Sequence, residues 1–224
     1  MVAGKQMRLD KHSKLVMIGD SITDAGRAQP AGEGLFGALG NGYVSLVDAL
    51  LGAAYPDYGI RVVNMGTSGN TVRDLQTRWQ TDVLDKQPDW LSVMIGINDV
   101  WRQFDSPLRP ESHVLPDEYE QTLDELIART RPTVKNIVLL TPFYIEPNRA
   151  DLMRARMDEY GAIIRRLSEK HGTLLVDTQA AFDAVLTTLY PATLAWDRVH
   201  PSLTGHMVLA RAFLATIGFA WQGD

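Results

Sequence analysis

Leu15-Val16-Met17-Ile18-Gly19-Asp20-Ser21-Ile22-Thr23 joins an apolar run to a glycine and then to a serine, and it sets the pattern for the rest of the chain. A continuous apolar run with a polar end fits a strand buried on both faces of a parallel sheet, since a one-sided strand would alternate. Further runs of this form lie at 62–63, 91–95, 137–140 and 174–176, followed by Asn64, Gly96, Thr141 and Asp177. Longer segments with a helical period separate them. Tyr43, Val44, Val47, Leu50 and Leu51 form an apolar stripe ahead of a turn at 56–59. Thr71 is placed to cap a segment through Lys86 that keeps Val72, Leu75, Trp79 and Val83 on one face. Residues 116–131 and 149–171 read the same way. A last helix starts near Ser202, carries Leu203, Met207, Ala210, Leu214 and Ile217, and stops at Gly218. Five strands alternating with helices predict an α/β fold, a doubly wound parallel sheet in one domain over 1–224.

Two stretches resist regular assignment: 25–42, with six glycines, and 103–116, with three prolines. Connections of that length in a compact domain tend to carry function. In open parallel sheets, sites form beyond the carboxyl ends of the strands.

Bulk properties narrow the function. A net charge of −5 with scattered lysines and arginines offers no basic face for nucleic acid or anionic membrane, so neither is an expected partner. The chain has no cysteine, which excludes disulfides and thiolate metal sites. The first residues carry charges and no apolar core, unlike a secretory signal. No window approaches the roughly 18 apolar residues of a membrane span. The expectation is a cytoplasmic protein.

The chemistry is carried by four segments. Ser21 comes just after a buried strand, where its hydroxyl can project from the sheet edge, although an isolated Gly-Asp-Ser more often only caps the next element. Asp197-Arg198-Val199-His200-Pro201 precedes the last helix. Pro201 biases His200 toward an extended backbone. One turn then brings the Asp197 carboxylate to the imidazole, the pairing a general base requires. Taken alone, an unrelated surface pair reads better. Asn64-Met65-Gly66-Thr67-Ser68-Gly69-Asn70 and Gly96-Ile97-Asn98-Asp99 close two more strands and offer N–H donors for a developing oxyanion, though each also reads as a plain turn. Together the four supply nucleophile, base, orienter and oxyanion donors. The Gly-x-Ser-x-Gly elbow of α/β-hydrolases is absent.

These blocks resemble those of the SGNH (GDSL) hydrolase family, whose Ser, Gly, Asn and His correspond to Ser21, Gly69, Asn98 and His200. The resemblance implies a flavodoxin-like three-layer α/β/α sandwich around a five-stranded parallel sheet. It implies a catalytic triad of Ser21, Asp197 and His200, and an oxyanion hole from the N–H groups of Ser21 and Gly69 and the side chain of Asn98. From about Lys14 to Trp221 the chain is similar to the family's intracellular acetylxylan esterases, through 26–43, 98–103, 141–146 and 195–197. That implies removal of acetyl groups from small acetylated sugars such as xylo-oligosaccharides, and a homo-oligomer.

No metal or organic cofactor is expected for this chemistry. Asp20, Trp101 and Trp196 are the expected substrate contacts, the two tryptophans reading equally well as core or subunit-interface aromatics. Trp79 and Trp90 are expected in the core, and Trp221 at a subunit contact. His12, His113, His171 and His206 carry no expected chemistry. A thioesterase or lysophospholipase would use the same triad but need a long apolar groove. A non-catalytic flavodoxin-like module would leave the Asp197–His200 pair idle.

Overall fold

A computed structural model describes residues 6–221. The elements run in chain order β1 (Lys14–Gly19), α1 (Ser21–Asp24), α2 (Tyr43–Ala54), β2 (Arg61–Gly66), α3 (Val72–Asp82), β3 (Trp90–Met94), α4 (Ile97–Asp105), α5 (Pro116–Thr130), β4 (Asn136–Leu140), α6 (Leu152–His171), β5 (Leu174–Val176), α7 (Thr178–Leu186), α8 (Pro191–Leu194) and α9 (Leu203–Thr216). The strands form one parallel sheet in the order β2-β1-β3-β4-β5, with helices on both sides. This is the expected three-layer α/β/α architecture. The apolar run of β1 lies in the middle of the sheet, and Leu15, Val16, Met17 and Ile18 are fully buried. α2 packs against α9, while α3, α5 and α6 pack in series. Trp79 and Trp90 are core residues, as expected.

The sheet order reverses between β1 and β3, because the chain goes first to β2 on one side and then to β3 on the other. At such a switch point the connections diverge and leave a crevice at the carboxyl ends of the strands. Gly19 at the end of β1 lies beside both Gly66 of β2 and Met94 of β3. Everything attached just beyond those three positions therefore converges.

Local chemistry moves several boundaries. The helix opened by Thr71 stops at Asp82 and gives way to a short 3₁₀ turn, Leu84–Lys86. Asp74 completes a capping box with Thr71 at its start. The helix expected from Arg149 begins at Leu152, because the Asp151 carboxylate accepts the Arg154 N–H. Residues 97–105, expected as a strand-end turn running into an irregular stretch, form helix α4 instead. Gly96, at φ 130, makes the sharp entry into it.

Candidate active site

Three strand ends and one pre-helical loop build the site. Beyond β1, the Asp20 carboxylate accepts the Ile22 N–H and so starts the single turn α1, which presents Ser21 at its first position. Beyond β2, Asn64 donates through Nδ2 to the carbonyls of Thr23 and Leu39 and accepts the Gly66 N–H, tying the strand end to α1. Asp24 accepts the N–H and the hydroxyl of Ser68. The loop then passes through Gly69 at φ 81, a left-handed conformation that suits glycine. Beyond β3, Asn98 lies in the first turn of α4 and donates through Nδ2 to the Asn70 carbonyl at 2.9 Å.

The fourth piece is the loop before α9. Arg198 takes a left-handed backbone, φ 63, in the middle of the Asp197–His200 turn. For a residue other than glycine this is a strained conformation. An ion pair with Glu146 and the Ile145 N–H donated to its carbonyl hold it there. The turn brings the Asp197 carboxylate to Nδ1 of His200 at 2.6 Å, while its other oxygen accepts the N–H groups of Val199 and His200. Partial burial raises the Asp197 pKa, but the hydrogen bonds from the His200 ring and from the two N–H groups outweigh it and hold the carboxyl below its usual range. Nε2 of the same ring lies 3.0 Å from Oγ of Ser21. Asp197, His200 and Ser21 are thus joined in one chain of contacts.

Among the described residues, the N–H groups of Ser21 and Gly69 donate to no protein acceptor. With the Asn98 side chain, they are the groups that the family resemblance implies as oxyanion donors. An arrangement of this kind can transfer a proton from the hydroxyl to imidazole while a carbonyl carbon is attacked, and can receive the charge that develops on the carbonyl oxygen.

Two of the three expected substrate contacts reach the surface, but differently. Trp101, on α4, is half-buried and packs edge-on against the His200 ring, with ring centres 5.9 Å apart. Trp196 is 90% exposed and lines a cleft with Tyr190, Pro191, Arg198 and Glu146. Asp20, the third expected contact, is 1% exposed, and its carboxylate accepts the Ile22 N–H that starts the turn carrying Ser21. Burial above all pushes the Asp20 carboxyl up to about 7, against the pull of the Ile22 N–H. Asp99, also buried, accepts the Val72 N–H and links α4 to the start of α3; burial pushes it up to about 7 too.

Sequence reasoning misses Asp99 and two arginines that hold the strand ends. Arg27 donates to the Gly66 carbonyl at 2.6 Å, and Arg78 to those of Gly19 and Met65. Nothing local in the sequence signals these partners, since Arg78 and Gly19 lie 59 positions apart.

Residues 17–208 match the profile of the GDSL-like lipase/acylhydrolase family. The chain is 62% identical to an acetylxylan esterase of Geobacillus stearothermophilus over 215 residues, covering 96% of this chain and 98% of that one. The crystal structure of that enzyme superposes with a TM-score of 0.95 over the same shares of the two chains. Variants of it altered at a serine, an aspartate and a histidine are described as catalytic mutants, with the aspartate three positions before the histidine. An alpha/beta hydrolase enzyme from the metagenome of Lake Arreo, Spain, is 61% identical with a TM-score of 0.94, covering 96% of this chain and 99% of its own.

Proposed function

The chain belongs to the GDSL-like lipase/acylhydrolase family, and we propose that it is a serine esterase removing acetyl groups from acetylated carbohydrates, xylo-oligosaccharides above all. The observation that carries the reading is the unbroken series Asp197–His200–Ser21, with contacts of 2.6 and 3.0 Å. His200 Nε2 takes the hydroxyl proton as Ser21 Oγ attacks the acetyl carbonyl. The Asp197 carboxylate fixes the Nδ1–H tautomer and stabilises the imidazolium. The N–H groups of Ser21 and Gly69 and the Asn98 amide receive the oxyanion. Collapse of the tetrahedral adduct returns the proton to the departing sugar hydroxyl and leaves an acetyl-serine. Water, deprotonated by the same imidazole, then releases acetate and restores the serine.

The sugar ester as substrate is supported by the likeness to the Geobacillus acetylxylan esterase. The half-buried Trp101 supports a small acyl group, since it packs against the His200 ring and narrows the space beside the imidazole. Trp196 is the proposed sugar-side contact. The single domain, the cytoplasmic location and the homo-oligomer belong to the same proposal. A cysteine-free composition supports the location. The exposed Leu35, Phe36, Tyr190 and Trp196 support association between copies. No helix among the described residues is long and apolar enough to cross a membrane.

The test is Ser21→Ala with an aryl acetate, together with acetate release from acetylated xylo-oligosaccharides, acetylated glucosides and longer acyl esters. A fall in kcat of at least about 10³–10⁴ is expected for the variant. Fastest turnover on xylo-oligosaccharide acetates is expected for the parent chain. A smaller fall contradicts the nucleophile, and fastest turnover on octanoate contradicts the acetyl specificity.

A further inference from the structure

Arg78 projects from α3 into the space beneath the oxyanion donors, with its side chain 15% exposed. One guanidinium there serves four acceptors. Nη2 donates to the Gly19 carbonyl at 2.8 Å, and Nη1 to the Met65 carbonyl at 2.7 Å and to Asp82 at 2.8 Å. Nε donates to the Asn70 side-chain oxygen at 2.7 Å. Gly19 stands two residues before Ser21, and Asn70 directly follows Gly69. The main-chain carbonyl of Asn70 is also the acceptor that holds the Asn98 amide. Apart from Asp82, which balances the charge, every acceptor of Arg78 lies on a segment that delivers an oxyanion donor.

We propose that Arg78 is a positioning residue for the oxyanion site, its planar fork locking the ends of β1 and β2 and the Asn70 turn so that Ser21 N–H, Gly69 N–H and the Asn98 amide point at one spot. A guanidinium is suited to this because its donors are fixed in a plane, and charge-assisted bonds to carbonyls hold tightly where water is scarce. A lysine, with one rotating ammonium, cannot serve Gly19, Met65 and Asn70 in fixed directions. Misplacement by about 1 Å costs a catalytic site on the order of 10²-fold, and loss of one oxyanion donor about 10²–10³-fold. The effect belongs in kcat, because the oxyanion exists only after attack.

The inference rests on the proposed triad and oxyanion donors, and the experiment separates the two. Arg78→Met, Arg78→Lys, Asn70→Ala and the Arg78→Met/Asn70→Ala double variant are assayed on an aryl acetate beside Ser21→Ala. Affinity for benzeneboronic acid is measured as well, since its serine adduct mimics the tetrahedral species. Arg78→Met is expected to lose about 10²-fold in kcat with KM within about threefold, to lose boronate affinity by a similar factor, and to keep the parent pH profile. Arg78→Lys falls between. Asn70→Ala, on a half-exposed turn, keeps the main-chain carbonyl but frees Nε; it is expected to lose about tenfold and to add nothing to Arg78→Met. A folded Arg78→Met with kcat within threefold of the parent, or with the whole change in KM, overturns the proposal, as do two losses that simply add. Should Arg78→Met fail to fold, Asn70→Ala decides alone, and a kcat within twofold overturns it. An active Ser21→Ala removes the triad itself. An inactive Ser21→Ala beside an unimpaired Arg78→Met removes only the role of Arg78.

Discussion

Asp197 grips His200 twice, once through the ring at 2.6 Å and once through the backbone N–H at 2.8 Å, so a single carboxylate both shapes the turn and sets the tautomer. The two tasks fall on different oxygens. Oδ1 takes the N–H groups of Val199 and His200, and Oδ2 takes the ring.

Asp197→Asn separates these tasks. The amide oxygen can still accept the two N–H groups and keep the turn, while the amide nitrogen faces the ring and favours the tautomer with the proton on Nε2. That proton points at Ser21, so the imidazole can no longer act as base. A fall of about 10⁴ in kcat is expected with an unchanged melting temperature. Steady-state kinetics on an aryl acetate and a thermal melt check it; a loss below tenfold would mean that Asp197 only holds the loop.

His206, buried at the start of α9, accepts the Tyr43 N–H through Nδ1 at 3.1 Å. Protonation there would set a donor against a donor. Burial first, and the nearby His200 second, push its pKa down to about 4. The unfolded chain therefore holds more protons between about pH 6.5 and 4, and this contribution to stability is lost as pH falls through that window. The buried carboxyls of Asp20 and Asp99, both raised to about 7, act with the opposite sign, because there the folded state holds the extra protons. His206→Asn keeps an acceptor for Tyr43 and removes only the histidine's part. Relative to the parent, it should gain on the order of 2–3 kcal/mol between pH 7 and pH 4.5. Urea unfolding at the two pH values measures this, and an unchanged difference would show that His206 does not titrate in that range.

Much of this arrangement is legible in the sequence alone. The apolar runs mark all five strands because continuous burial on both faces leaves a direct signature, and Leu15 to Ile18 show it plainly. Ser21, Gly69, Asn98 and His200 are legible as a set, because the four short blocks that hold them resemble those of the SGNH (GDSL) family. The features hidden from sequence depend on contacts between distant segments. Arg78 looks like any charged residue on a solvated helix face, with Asp82 one turn on, and only the fold brings it to Gly19. The cap formed by Asp20 is hidden for a related reason: only the fold shows its carboxylate buried and accepting the Ile22 N–H. Gly66 is hidden in the same way, since only the fold shows that it makes room for the main chain of Thr23 and Asp24.

Gly66 makes that close approach measurable. A Cβ there would lie 2.1 Å from the Asp24 N and 2.6 Å from the Thr23 carbonyl carbon, both main-chain atoms of α1. Backbone cannot swing aside as a side chain can, so Gly66→Ala is expected to cost at least about 3 kcal/mol and to displace Ser21. At Gly69 a Cβ would meet nothing within 4 Å, and only its φ of 81 opposes a side chain. Gly69→Ala should cost about 1 kcal/mol and keep its N–H donor. Denaturant melts of the two variants give the order; equal losses would mean that β2 and α1 can slide apart cheaply.

Trp101 offers the sharpest reading of acyl selectivity. Its ring meets His200 edge-on at 5.9 Å, and the Arg102 guanidinium sits 5.3 Å over it, so the indole is held in place beside the imidazole. A fixed ring beside the imidazole limits the length of acyl chain that can lie there, because each added methylene must find space that the indole fills. Trp101→Ala opens that space. Since one methylene in an apolar pocket is worth about 10–200-fold in discrimination, the octanoate-to-acetate ratio of kcat/KM is expected to rise at least about tenfold. Trp196, at 90% exposure, makes no such wall, and Trp196→Ala should leave the ratio unchanged. A ratio that moves for Trp196 and not for Trp101 would put the acyl group on the opposite side of His200.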